Sequence, residues 1–478
     1  MFMHHLASFK YSCFLICASA VVAEVTLPRF FQDHMVIQRG EPISVWGQAT
    51  YDEHVEVSLN GVIAKTVADA DGNWEVELPA QPAGGPFKLE VNDRVLEDVY
   101  LGDVWVLSGQ SNAQVSFNYY LGRATAPEYM NRFKTDLINC ADETLIRNYM
   151  VACKNDQKET IRNDSENRWF VSNPTDIGEV SPIAFYFARE ISRKTSVMTA
   201  VVRIAWGGHH IEKFYEAAYI YRNMLQPWRR AKIKGVIWYQ GENNLYKDGD
   251  RLGYALKLQL LIRDYRKLWD NPKLPFLLVQ LPPSTYSSQP FNDLQSLPVF
   301  LEAQRQALQI PFTSLAVSSD LGMLNGLHQP QKYALAVRLA NLAFANVYQA
   351  SSAVPAGPQM QQFKIRGNQV IVSFDTFGSE LITSDGQMPQ YFEVAAQKKD
   401  FKPAQAKIEG NSVVLWNDTI EKPYDVRYGF DESVLMNLNL TNSEGIPAAV
   451  FWARAQNQLH LGLLNEMKQE ALLEPSGE

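Results

Sequence analysis

Five apolar runs, separated by stretches of helical periodicity, constrain this chain more than anything else in its sequence. They are Val104–Leu107, Met198–Trp206, Lys234–Tyr239, Phe276–Leu281 and Ser314–Ser318. The segments Ile183–Lys194, Gly253–Trp269, Val299–Leu308 and Gln331–Val347 carry apolar residues at helical spacing. Ser181-Pro182 opens the first of them with an N-cap residue and a proline at the first helical position. Strands alternating with helices predict an α/β fold with a doubly wound parallel sheet. The carboxyl ends of parallel strands share one edge, and open α/β sheets bind their ligands there.

The flanks read differently. Residues 24–98 alternate apolar and polar positions in short segments (Val36–Gln38, Ile43–Trp46, Val55–Leu59, Trp74–Leu78), broken by turn signals such as Asn60-Gly61. They predict an N-terminal β-sandwich. An α/β domain over 99–350 follows, and then a β-rich module over 351–478 carrying Val370–Phe374, Ser412–Trp416 and Tyr424–Phe430. At the start, Lys10 precedes an apolar run from Cys13 to Val22, with small residues before Glu24. That run is too short to span a membrane, and residues 1–23 read as a signal peptide for a secreted or lysosomal protein.

An oxidising compartment predicts a disulfide between the two cysteines left after the signal, Cys140 and Cys153. The sequons at Asn163, Asn417 and Asn439 would carry glycans in a eukaryotic source. The formal net charge of −8 comes without a basic block, which argues against nucleic acid as a partner. No later run has membrane-spanning length.

Four polar stretches each follow a predicted strand of the same sheet: Gly109-Gln110-Ser111-Asn112, Trp206-Gly207-Gly208, Gln240-Gly241-Glu242-Asn243-Asn244 and Asn325-Gly326-Leu327-His328-Gln329-Pro330. A serine hydroxyl becomes a nucleophile only when a base takes its proton, and His328 is the best-placed base. Gly207 admits close backbone approach and offers an N–H to a developing oxyanion, which an Asn or Gln side chain can supplement. No zinc-ligand pattern, phosphate-binding Gly-rich loop or Rossmann fingerprint occurs in the sequence, so neither metal nor organic cofactor is expected.

These blocks resemble the sialate O-acetylesterases, a family of SGNH hydrolases. The likeness rests on Ser108-Gly-Gln-Ser-Asn-Ala-Gln114, Trp206-Gly-Gly208 with Ile211-Glu212, Gly235-Val-Ile-Trp-Tyr-Gln-Gly-Glu-Asn-Asn244, and His328-Gln-Pro-Gln-Lys332 with Arg338-Leu-Ala340. Asp33–Arg39, Val45-Trp-Gly47, Gly72-Asn-Trp74, Gly102–Trp105 and Val426-Arg-Tyr428 extend it over nearly the whole chain. The resemblance implies a flavodoxin-like SGNH domain with Ser111 as nucleophile, His328 as base, and Gly207 and Asn243 in the oxyanion hole. Gln240 and Glu242 remain further functional candidates, and Trp206, Gly208, His209 and Gln110 candidates for substrate contact. The implied substrate is an O-acetylated sialic acid or related sugar.

Three departures stand out. Relatives often carry an acid two or three residues before the base, where this chain has Gly326 and Asn325. Asn325 can accept from the imidazole without stabilising imidazolium, and Glu242 or Asp320 can orient His328 from elsewhere. Ala113 replaces the usual methionine, and His209-His210 stand where relatives have small or hydroxyl residues. Two alternatives stay open: an acetylesterase for xylan-type polysaccharide, or a catalytically weakened glycan-binding protein.

Overall fold

The computed structural model describes residues 25–123, 127–153, 167–245, 250–284, 296–323, 326–350, 354–396 and 400–454. The proposed signal peptide, Asn163 and Asn325 lie outside these ranges.

The sheet that positions the site is built on β1 (Arg94–Gly109), β2 (Ile146–Met150), β3 (Trp169–Val171), β4 (Thr199–Ala205), β5 (Gly235–Tyr239), β6 (Phe276–Val279) and β7 (Thr313–Ala316). Across the sheet they run β7-β6-β5-β1-β4-β2-β3. Every neighbouring pair is parallel except β2 with β3. β4, β5 and β6 are buried at every residue, as strands covered on both faces must be. The five strands expected from the sequence are β1, β4, β5, β6 and β7. Sequence reading did not anticipate β2, which mixes Arg147 and Asn148 into its run, or β3, which is only three residues long.

The helices that matter to the site are α1 (Ser111–Gln114), α2 (Phe117–Leu121), α3 (Pro182–Thr195), α4 (Asp250–Leu268), α5 (Ser296–Gln306) and α6 (Lys332–Asn346). Pro182 opens α3 at its first position, as expected. Ser181 precedes it in extended conformation, but its buried hydroxyl finds no partner and makes no cap bond.

β1 is far longer than the tetrapeptide that announced it. Its first part pairs antiparallel with Gly84–Val91 and parallel with Val36–Gln38. Its second part lies between β4 and β5, so one strand runs past residue 98 from the N-terminal β region into the central sheet. Asn60-Gly61 forms the expected tight hairpin between His54–Leu59 and Val62–Val67, both residues at positive φ (50° and 77°). Ile43–Gln48 pairs separately with Asn73–Leu78. Beyond α6, Gln359–Arg366, Gln369–Asp375, Ser412–Trp416 and Gln405–Glu409 form one antiparallel sheet, and Asp425–Tyr428 sits in another.

Two expectations about covalent chemistry fail. Cys140 and Cys153 form no disulfide. Each sulfur is buried with a backbone partner of its own, Cys140 on the Leu137 carbonyl and Cys153 on the Ala205 carbonyl. Proximity in sequence did not bring them together, because β2 separates the two and leaves Cys153 beside the Ala205 carbonyl at the end of β4. The sequon at Asn439 is also unusable as folded. Asn439 is buried, and its amide nitrogen donates to Asp385 and to the Met388 carbonyl, leaving no approach for a transferase.

Candidate active site

The register makes the site. Gly109 at the end of β1 stands opposite Ala205 of β4 and Tyr239 of β5. The ladder carries one step further: the Trp206 N–H donates to the Gly109 carbonyl, and the Gln110 N–H to the Tyr239 carbonyl. Three adjacent strands therefore end level, and their next residues (Gln110-Ser111, Trp206-Gly207, Gln240-Gly241) emerge at one edge. Gly109 is held at φ 143°, where a Cβ would fall 2.0 Å from the Tyr239 carbonyl oxygen, so no side chain fits there.

Ser111 is the first residue of α1, and its amide is among the helix's orphan N–H groups. Gly207 lies against it, since a Cβ built on Gly207 would sit 3.2 Å from Ser111 Cβ. The Gly207 N–H donates to Gln114 Oε1 at 2.7 Å. Asn243 Nδ2 donates to the Gly208 carbonyl at 2.5 Å, and the Nδ1 of His209 is 3.0 Å from the Gly207 carbonyl. The ring of His209 lies 4.8 Å from that of half-buried Trp206, which also meets Tyr219 at 5.9 Å.

Gln240 and Gln110 face inward. Gln240 is fully buried, donating to Gln110 Oε1 (3.0 Å), Asn244 Oδ1 (2.8 Å) and the His209 carbonyl (3.2 Å) while accepting from the Tyr254 hydroxyl (2.7 Å). Gln110 Oε1 also accepts the Asn243 N–H. These two amides tie the turns after β1, β4 and β5 together rather than projecting into the open edge.

Asn112 is the hub beneath Ser111. Its Nδ2 donates to Glu242 Oε1 (2.5 Å) and to the Leu327 carbonyl (2.8 Å), and its Oδ1 accepts from Lys332 Nζ (2.6 Å). All three side chains are buried. Burial pushes the Glu242 carboxyl up from its ordinary range, and lowers the Lys332 ammonium to about 7 against the opposing pull of Glu242. Asn112 thus links the serine turn, the β5 turn and the histidine loop.

His328 follows immediately on that Leu327 contact. On its far side the Gln329 carbonyl accepts from the Tyr120 hydroxyl at 3.2 Å. The imidazole Nδ1 is hydrogen-bonded to the Tyr119 hydroxyl, with the two rings edge to face at 5.0 Å. Burial, followed by the charges of Lys332 and Arg123, lowers His328 to about 4, so the ring is neutral at ordinary pH. No hydrogen bond joins His328 to Ser111 among the described residues.

Neither acid expected to orient His328 does so here. Both oxygens of Asp320 are taken by Arg338, and Glu242 is bonded to Asn112. Tyr119 occupies Nδ1 instead. The sequence held no signal for it, because a tyrosine eight residues past the serine looks like any core aromatic. Asn112 and Lys332 stood inside the motif blocks of the sequence, with no role assigned to either. Among the described residues no group of three or more His, Cys, Asp or Glu side chains is placed to hold a metal ion.

Comparison with known proteins gives a consistent picture. A family model described as carbohydrate esterase, sialic acid-specific acetylesterase, matches residues 101–344, just over half the chain. Human sialate O-acetylesterase is 23% identical over 439 residues, covering 78% of this chain and 78% of the human protein. Among solved structures, a carbohydrate acetylesterase from Xanthomonas citri superposes with a TM-score of 0.81 at 30% identity, over 90% of this chain and 99% of that one.

Proposed function

The chain belongs to the sialic acid-specific acetylesterase family of carbohydrate esterases, and on that premise we propose that it cleaves O-acetyl groups from sialic acids with Ser111 as nucleophile and His328 as general base. Membership in the family carries esterase activity on acetylated sugars. The observation that supports the residue assignment is the Asn112 side chain, which fastens the peptide before His328 to the turn carrying Ser111.

In this mechanism the neutral His328 takes the Ser111 proton at Nε2 as Oγ attacks the acetyl carbonyl carbon. The tetrahedral oxyanion accepts from the Ser111 N–H and from the Gly207 N–H, displacing the Gln114 amide oxygen that satisfies Gly207 in the free protein. The second hydrogen of Asn243 Nδ2 supplies a further donor. His328 then protonates the departing sugar oxygen, and water hydrolyses the acetyl-enzyme by the same route in reverse. Trp206 and His209 offer an aromatic face to the sugar.

The central domain is, in this reading, flavodoxin-like and doubly wound. The five strands expected from the sequence run β4-β1-β5-β6-β7, which numbered among themselves is 2-1-3-4-5 and supports it, with β2 added in parallel beyond β4. Residues 1–23 act as a signal peptide for secretion or lysosomal delivery, with Asn417 as a glycan acceptor.

A second substrate reading has its own support: the Xanthomonas citri carbohydrate acetylesterase shares 30% identity, more than the 23% of the human sialate O-acetylesterase. Acetylated polysaccharide is then the substrate, cleaved by the same residues. The test is hydrolysis of p-nitrophenyl acetate by the wild type and by Ser111→Ala and His328→Gln, followed by acetate release from O-acetylated sialic acid and from acetylated xylan. Full activity in either variant refutes the residue assignment, and the sugar comparison selects the substrate.

A further inference from the structure

We infer that Tyr119 is the positioning residue of the catalytic histidine, holding His328 through Nδ1 in the place where relatives use an acid. The inference rests on the assignment of His328 as base. An imidazole can accept the serine proton at Nε2 only if its own hydrogen sits on Nδ1, so something must accept that hydrogen. The Tyr119 hydroxyl is bonded to that nitrogen, and neither Glu242 nor Asp320 is.

The surroundings fix Tyr119 for the task. Its N–H is bonded to Ser116 Oγ, the N-cap of α2, and the Arg123 guanidinium lies 4.1 Å from the ring centroid. The next residue, Tyr120, is buried and holds the Gln329 carbonyl, while Asn112 holds the Leu327 carbonyl. The backbone on either side of His328 is therefore clamped, and the remaining freedom, rotation and tautomer of the ring, is what the Tyr119 hydroxyl controls.

A phenol differs from a carboxylate in one respect that can be measured. It accepts the Nδ1 hydrogen but brings no negative charge, so it selects the reactive tautomer without stabilising imidazolium. Among the described residues, the charged and titratable groups facing the ring are Tyr119 itself, Arg123 beyond α2 and Lys332 of α6, and none of them is anionic. The base therefore stays unprotonated well into acid.

The experiment uses the full chain. Long-range nitrogen–proton NMR of the imidazole rings, with His328→Gln to identify the resonance, reads the tautomer in wild type and in Tyr119→Phe. The same proteins are assayed on p-nitrophenyl acetate. The expected result is the Nδ1–H tautomer in wild type, a shift toward Nε2–H in Tyr119→Phe, and a roughly 3- to 10-fold fall in kcat with KM unchanged, the weight of one neutral hydrogen bond. A wild-type ring protonated at Nε2 overturns the inference whatever the variant does. So does a Tyr119→Phe enzyme with unchanged tautomer and kcat. Activity surviving in His328→Gln would instead sink the site assignment, a separate outcome.

Discussion

Replacing Asn112 with alanine should weaken the fold more than most single changes on this sheet edge. The side chain makes three hydrogen bonds in a buried setting, two of them to the ionisable groups Glu242 and Lys332 and one to the Leu327 carbonyl. Bonds to charged groups contribute about 1.5–3 kcal/mol each and a neutral one about 0.5–1.5 kcal/mol, giving roughly 3.5–7.5 kcal/mol in all. Water entering the space, and neutralisation of Lys332 by Glu242, pull the loss toward the lower end. Taking an unfolding slope of about 3 kcal/mol per molar urea, the midpoint should fall by about 1–2 M. Tryptophan fluorescence during urea unfolding reports this directly, because Trp105 and Trp238 are buried in β1 and β5. A midpoint within about 0.3 M of wild type would refute the claim that Asn112 ties the three turns together. Activity should fall as well, since the Leu327 carbonyl beside His328 loses its anchor.

Four further outcomes are expected. With His328 lowered to about 4, protonation of the free base begins only as pH falls toward that value, so kcat/KM should hold level through pH 6 and decline near pH 4; an acid limb near 6.5 would show that the ring is not buried among cations as described. Folding leaves this histidine with fewer protons than the unfolded chain between the two values, so stability should rise with pH over that window, and the slope should shrink in His328→Gln. Gly109→Ala should yield no soluble protein, because its Cβ would meet the Tyr239 carbonyl oxygen at 2.0 Å; normal yield, read by gel filtration, would contradict the register. Reducing agent should leave the thermal midpoint unchanged, and Cys140, whose thiol burial pushes up to about 11, should react with a thiol reagent only after unfolding.

The sequence showed the central sheet because the second half of β1, β4, β5 and β6 are buried on both faces and therefore written almost wholly in apolar residues. It showed the motif turns because glycine and amide residues cluster where level strand ends must bend. It could not show β2, which carries polar residues such as Arg147 and Asn148, or β3, whose three apolar residues are too few to read as a strand. Nor could it show the partner of His328. Tyr119 reaches the ring from a different segment, and such a contact depends on how α2 folds back over the histidine loop. Gln240 and Gln110 had the right chemistry for the open edge, yet the structure commits both to holding turns together. The disulfide failed for a related reason: sequence distance says little once a strand intervenes.

One strand, Arg94–Gly109, belongs to both the outer β module and the sheet that carries the serine. At the usual rise per residue it is a rod of roughly 50 Å. Along that rod there is no swivel between appendage and reaction centre, so whatever the outer module grips is presented to the serine in a fixed attitude. Trimming the protein at the module's apparent border would saw the rod through. The remaining core would expose raw backbone along a freshly bared strand, and self-association of that stump is the cost the intact chain avoids.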